Sequence, residues 1–357
     1  MVMARRRSDP AQPSLFGPDA DESLAASVRA RTEPAPAAHP PACVELARAL
    51  HPCIHLGTSS WSFPGWRGIV WRDREEESTL SRSGLRAYAC HPLLRCVGID
   101  RTYYRPIDAT AFERMAAQVP PHFRFLVKAH EAITRPTSAN GVFSSGTSLQ
   151  FDAAYATEQV IAPAAAGLGD RLGPLLFQLS PMGLRGAAEA EAFIRRLGAF
   201  LGQLPSGLLY AVEARDRALM RASWAAMLRD TGAVHCFNAH PSQHQPLQQA
   251  RLVEPATQRA IVARWMLHSD HTYEGAVDRY APFGAIVDED PSSRAQFARL
   301  CADAAGEMRS AFVIINNKAE GSAPLSAQRL AQLIVDRRAP IEPPAIPSSP
   351  APQENTP

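Results

Sequence analysis

The sequence predicts one (β/α)8 barrel of the TIM type, an α/β fold, between disordered proline-rich N- and C-terminal tails. Three observations carry that prediction. Eight short apolar runs recur along the chain, with helical or loop segments between them. The runs are rich in Val, Ile, Leu and Phe, and several are nearly continuous, the pattern of strands buried on both faces of a parallel sheet. Each run also stops at polar or aromatic residues, which a closed barrel gathers at one mouth.

The expected strands are Ile54–Ser59, Cys96–Thr102, Arg124–Ala129 and Pro174–Leu179, then Leu208–Ala214, Val234–Asn238, Ile261–Leu267 and Ala311–Asn316. Helices are expected at 107–118, 187–203, 217–230, 292–309 and 325–336, where apolar residues fall at helical spacing. Strand and helix alternate, as in right-handed β-α-β units. Eight such units fit a closed barrel better than an open doubly wound sheet. Residues 61–80, 134–150 and 268–291 read as loops. Each follows a strand, so a barrel places all three on the rim that carries active sites.

Composition sets the boundaries. The chain has 357 residues, enough for one large barrel or two ordinary domains. Its 31 prolines crowd both ends. Residues 1–50 and 339–357 cannot bury enough apolar surface to offset ordering entropy, so the barrel is expected over 51–338. A net charge of +2 gives no global pull toward nucleic acid or membrane. No stretch approaches the ~20 apolar residues of a membrane span, and no signal peptide shows at MVMARRRSDPAQ. The six cysteines form no C-x-x-C pair and show no zinc-like spacing, which points to free thiols in a cytoplasmic protein. No cofactor is clearly implied and no metal site is expected. G-x-S-x-G, Walker A and strand-linked G-x-G-x-x-G motifs are missing.

The strand ends supply the candidate site. Catalytic candidates are Glu213, Lys128, Asp100 and Glu320. Paired carboxylates beside cations allow one group to stay protonated while another is ionised. Glu213 is expected as general acid or base, with Asp100 or Glu320 as its partner. Lys128 reads as a charge partner or oxyanion contact, or as a Schiff-base nucleophile if burial lowers its pKa. Candidate substrate contacts are Trp61, Tyr104, Gln178, Arg215, Asn238, Arg264, Asn316, Asn317, Gly321 and Ser322. Glu213 with Arg215 reads equally as a structural ion pair, and Trp61, Trp66 and Trp71 as caps on the barrel. The turn at Gly321 and Ser322 precedes a helix, so its free N–H groups are a candidate phosphate site or an ordinary capped helix start.

At this point the residues resemble a known group. GTSSWSFPGWRG, TYYRP, FRFLVKAHEAIT, LGPLLFQLSP, AVEAR and INNKAEGSAP, in that order, look like the YecE-like family, also called domain of unknown function 72. The resemblance spans roughly residues 54–335 and implies a TIM-type barrel with no established reaction. It matches Gly57, Thr58, Ser59, Trp61, Tyr104, Lys128, Gln178, Glu213, Arg215, Asn317, Ala319, Glu320, Gly321 and Pro324 to family positions. Where many members read V-E-I-N-S-T-F-Y, this chain has Gly98 and Asp100 in place of Glu and Asn. Ala214 replaces the usual aromatic of strand five. These departures and the long 264–291 stretch suggest a divergent subgroup.

The N-terminal tail carries a separate signal. Gln12, Leu15 and Phe16 in QPSLF resemble the short peptide that docks into the bacterial sliding clamp, two apolar anchors on a disordered arm. The residues thus fit an enzyme acting by carboxylate acid/base chemistry on a small polar, phosphorylated or sugar-like substrate, as a hydrolase, isomerase or lyase. The alternatives are a replication- or repair-associated protein recruited to the clamp, and a barrel that binds an anionic small molecule without catalysis.

Overall fold

The structure, a computed structural model, describes residues 33–135, 149–268 and 270–338. Eight strands form its centre: β1 (Ile54–Thr58), β2 (Leu94–Ile99), β3 (Arg124–Lys128), β4 (Leu172–Gln178), β5 (Tyr210–Glu213), β6 (Val234–Ala239), β7 (Ala260–Trp265) and β8 (Ser310–Ile315). All pair in parallel in chain order, and β8 returns to β1, with Ile54 opposite Ala311 and Thr58 opposite Ile315. The barrel is closed, so no sheet edge is left unpaired.

Side-chain alternation divides the core in two. Cys96, Leu126, Leu176, Ala211, Cys236, Val262, Phe312 and Ile314 point inward and plug the barrel. Their neighbours Phe125, Val127, Phe177, Val212, Phe237 and Ala263 belong to the larger core under the helices. That continuous burial on both faces explains the unbroken apolar runs of the sequence. Between β1 and β2 the backbones come very close: a Cβ on Gly57 would lie 2.0 Å from the Cys96 carbonyl oxygen. Glycine is required there, and the register shifts between Leu56 and Gly57.

The five expected helices are present at Ala109–Ala116, Gly186–Leu201, Ala222–Thr231, Pro291–Gly306 and Ala323–Arg338. Others arise where no helix was expected. Pro41–Ala49, inside the expected tail, is a helix that buries Cys43, Leu46 and Ala47. Its apolar residues follow helical spacing, but the surrounding prolines hid it. Ahead of it, the Ala37 N–H donates to the Val70 carbonyl and the Arg72 N–H to the Ala35 carbonyl, which ties this segment to the loop after β1. After β3 comes a helix in three pieces, Ala153–Ala156, a π turn at Thr157–Ile161, and Ala162–Leu168. Glu77–Ser83, Pro246–Val253 and Tyr273–Tyr280 are also helical. The last lies in the expected 268–291 loop, with Thr272 as its N-cap.

Gln12, Leu15, Phe16, the tail after residue 338 and most of 134–150 lie outside the described residues. No helix among the described residues is long and apolar enough to cross a membrane. The six cysteines are free thiols.

Candidate active site at the barrel mouth

A strand's period of two builds the site. Lys128, Gln178, Glu213, Asn238, Arg264 and Asn316 each follow an inward apolar residue by two positions: Leu126, Leu176, Ala211, Cys236, Val262 and Ile314. Asp100 continues the series of Cys96 and Gly98. A polar layer therefore sits directly on the apolar plug at the C-terminal ends of the strands, where barrels of this type keep their chemistry.

Glu213 is the centre of that layer and is wholly buried. One carboxylate oxygen lies 2.6 Å from Arg264 Nη1, the other 2.6 Å from Arg215 Nη2. Burial alone would raise its pKa, but Arg215 and Arg264 outweigh that and hold it at about 2. Such a carboxylate carries no proton at neutral pH; Arg264 hydrogen-bonds one oxygen, and Arg215 lies against the other as a charge partner without hydrogen-bond geometry. Its geometry is that of an anchor for two guanidinium groups rather than of a proton carrier, so the structural reading of the Glu213–Arg215 pair is the one the contacts favour.

Arg264, 1% exposed, spends its remaining donors on the wall. It donates to Gln178 Oε1 at 2.8 Å and to Asp100 Oδ2 at 3.4 Å. Among the described residues, Asp100 Oδ1, Asn238 Oδ1 and the Nε atoms of Arg215 and Arg264 are shielded from solvent and have no hydrogen-bond partner. Asn238 Nδ2 donates to the Ala214 carbonyl, and Asn316 Nδ2 to Ser59 Oγ at 2.9 Å. His240 sits within the field of Arg215, Glu213 and Arg264; burial first, then Arg215, lowers its pKa to about 4.

Lys128 is different from the arginines. Its side chain is 7% exposed, and among the described residues its ammonium forms no ion pair. The Nζ lies 3.7 Å from the centre of the Tyr103 ring, a cation–π contact. Burial lowers its pKa to about 8; Asp100 opposes the shift and Arg264 adds to it. Tyr103 is a site residue the sequence reading missed in favour of Tyr104. β2 ends at Ile99, and Asp100–Tyr103 form a tight 3-10 turn. That turn brings Tyr103 over Lys128 and leaves Tyr104 at the rim, 70% exposed.

Other expected site residues are placed elsewhere. Glu320 is wholly buried, paired with Arg294 and accepting from the Asp290 N–H at 2.8 Å. It braces the helix Pro291–Gly306 and makes no contact with Glu213 or Asp100. Asn317 Oδ1 accepts from Trp66 Nε1 at 3.2 Å and from the Ala323 N–H at 2.9 Å. The Gly321 N–H donates to the Asn317 carbonyl, and Ser322 is fully buried. A side chain on Gly321 would strike Ala285 and Val287, which cover the turn. At the expected phosphate site after strand eight, the Gly321 and Ala323 amides are taken up by Asn317, which favours the reading as a capped helix start. Trp61 donates to the Leu80 carbonyl and packs under Arg101, and Trp66 and Trp71 are fully buried. Their burial fits the reading of the tryptophans as caps on the barrel.

A closed ring of eight parallel strands with a charged layer at their C-terminal ends makes this an α/β barrel protein of the TIM type. The chain belongs to the DUF72 family: the family profile described as "Protein of unknown function DUF72" matches residues 55–353. Among solved structures, a DUF72 family protein from Thermotoga maritima aligns with a TM-score of 0.55 at 19% identity, covering 79% of this chain and 98% of that one. A DUF72 family protein from Enterococcus faecalis aligns with a TM-score of 0.53 at 16% identity, covering 79% and 95%. At such identities the likeness is one of fold. No curated protein matches the sequence.

Proposed function

We propose that the barrel mouth is the active site of an enzyme acting on a small polar substrate that carries a phosphate or carboxylate. The observation that carries this reading is Lys128, a nearly buried ammonium that forms no ion pair among the described residues, beside Asp100, a carboxylate with one oxygen left without a hydrogen bond among them. Three cations, Lys128, Arg215 and Arg264, face two carboxylates, Glu213 and Asp100, so the mouth holds a positive charge in excess.

Each group takes a role from its surroundings. Glu213 fixes both guanidinium groups and stays ionised. Arg215 and Lys128 receive the substrate anion, and Tyr103 keeps the Lys128 ammonium on the axis. With a pKa near 8, Lys128 exchanges a proton near neutral pH, as a general acid or base must. Asp100, 31% exposed at its side chain, is the less buried of the two carboxylates and the proton partner of Lys128. Acid/base chemistry on a phosphorylated or sugar-acid substrate follows from that pair, and hydrolysis, isomerisation and elimination all use it.

The test is a panel of phosphorylated and carboxylated sugars offered to wild type, Lys128→Met and Asp100→Asn, followed by product analysis. Turnover that both variants abolish, with their folding intact, supports the reading. Wild-type turnover that survives Lys128→Met, or saturable binding with no product anywhere in the panel, overturns it.

A further inference from the structure

Outside the mouth, one cluster of chemically capable side chains has no role in the fold or the site described so far. One ligand atom from each of His39, Cys43 and His91 comes within 4.8 Å of the others. Cys43 and His91 are buried, and the imidazoles meet edge to face with their centres 4.5 Å apart. His39 Nε2 is shielded from solvent and has no hydrogen-bond partner among the described residues. A buried imidazole nitrogen left unpaired is rare in a native fold unless water or an ion completes it.

The chain brings these groups together from two places. Pro40 and Pro41 set a rigid corner between His39 and the helix Pro41–Ala49, and Cys43 lies in that helix's first turn. His91 is in the turn that enters β2 at Leu94, and the Leu93 N–H donates to its Nδ1 at 3.2 Å. Apolar packing alone has no use for two imidazoles and a thiol at one point.

We propose that His39, Cys43 and His91 bind one thiophilic divalent cation, zinc in the first place, and so fasten the segment before β1 to the turn entering β2. Two imidazoles and a thiolate are a zinc donor set, and three protein ligands leave a fourth position for water. Zinc–ligand bonds of about 2.0–2.3 Å bring neighbouring donor atoms to within roughly 3.3–3.8 Å. The cluster is therefore preformed and closes by about an ångström on binding. An ion seated on His91 Nδ1 takes the place of the Leu93 N–H contact. Binding breaks the Cys43 S–H bond, forms the metal–sulfur bond and releases that proton to solvent. The wide separation of His39 and Cys43 from His91 in the chain is why no spacing motif announces the site.

Cobalt(II) is the probe. The full chain, freed of metal with a chelator, is titrated with cobalt(II) and then zinc(II). The expected result is one equivalent per chain, with a thiolate-to-cobalt charge-transfer band that zinc bleaches. Cys43→Ser removes that band, Cys53→Ser keeps it, and His39→Ala, at a half-exposed position, weakens binding by about tenfold or more. Zinc should also raise the unfolding midpoint of wild type, and raise that of His39→Ala by less at the same concentration. No saturable cobalt uptake by wild type, or an unchanged band in Cys43→Ser, overturns the proposal.

Discussion

Glu213 and Arg264 meet at 2.6 Å across the middle of the barrel, and neither reaches solvent. With Arg215 on the other carboxylate oxygen, the three form a buried ion network on top of an apolar plug. Desolvating these charges is costly, and their mutual contacts and the Gln178 carbonyl offset it. The network fixes the arginines and leaves Lys128 as the cation not already committed to a carboxylate.

Glu213→Gln should therefore act first on stability. Two guanidinium groups would lose their counter-charge in a buried site, at a cost of about 3–5 kcal/mol. Equilibrium urea unfolding checks this. Adding Arg264→Met should restore part of the loss, so that the double variant is more stable than the sum of the single changes requires.

Glu320→Gln should also destabilise, because it strips Arg294 of its partner and weakens the start of the helix Pro291–Gly306. Ligand binding at the mouth should not change, since Glu320 touches none of the groups there. Unfolding and binding measured side by side on this variant separate the two roles.

Lys128 makes stability rise with pH. Its folded-state pKa, lowered by burial, is about 8 against an ordinary 10.5. Below pH 8 the ammonium is charged in both states and the penalty for burying it is carried in full. Between about 8 and 10.5 the unfolded chain holds more protons than the folded one, so unfolding becomes harder as pH climbs. Urea unfolding at neutral pH and near pH 10.5 should show this rise in wild type. Lys128→Met should lack it and be at least as stable as wild type at neutral pH.

The Gln12, Leu15 and Phe16 peptide predicts retention of the chain on an immobilised bacterial sliding clamp. Leu15→Ala with Phe16→Ala should abolish that retention and leave the barrel's own binding as before. Equal retention of both forms would remove the clamp from the account.

The barrel was legible in the sequence because strands buried on both faces read as unbroken apolar runs, and in six strands the residue two steps beyond the last inward apolar residue is polar. Their places at or near the ends of the apolar runs put Lys128, Gln178, Glu213, Asn238 and Arg264 at one mouth. What the sequence hid came from breaks in the strand's period of two. β2 stops at Ile99, so a 3-10 turn brings Tyr103 to Lys128, whereas a strand running on to Thr102 would have turned Tyr104 inward with Asp100. Past β8 the chain leaves strand geometry at Asn317–Ala319, and Glu320 finds Arg294, a partner on a helix that no strand-end argument reaches. Burial and pairing, which decide whether Glu213 anchors or transfers protons, depend on Arg264, 51 residues further along the chain.

The most direct test of the mouth as an anion site is calorimetric titration with inorganic sulfate, whose charge is constant, from neutral pH to pH 10.5. Wild type should bind one sulfate saturably and lose affinity as pH rises through about 8, where Lys128 gives up its proton. Lys128→Arg should keep its affinity across that range. No saturable binding by wild type, or the same fall in Lys128→Arg, would contradict the account.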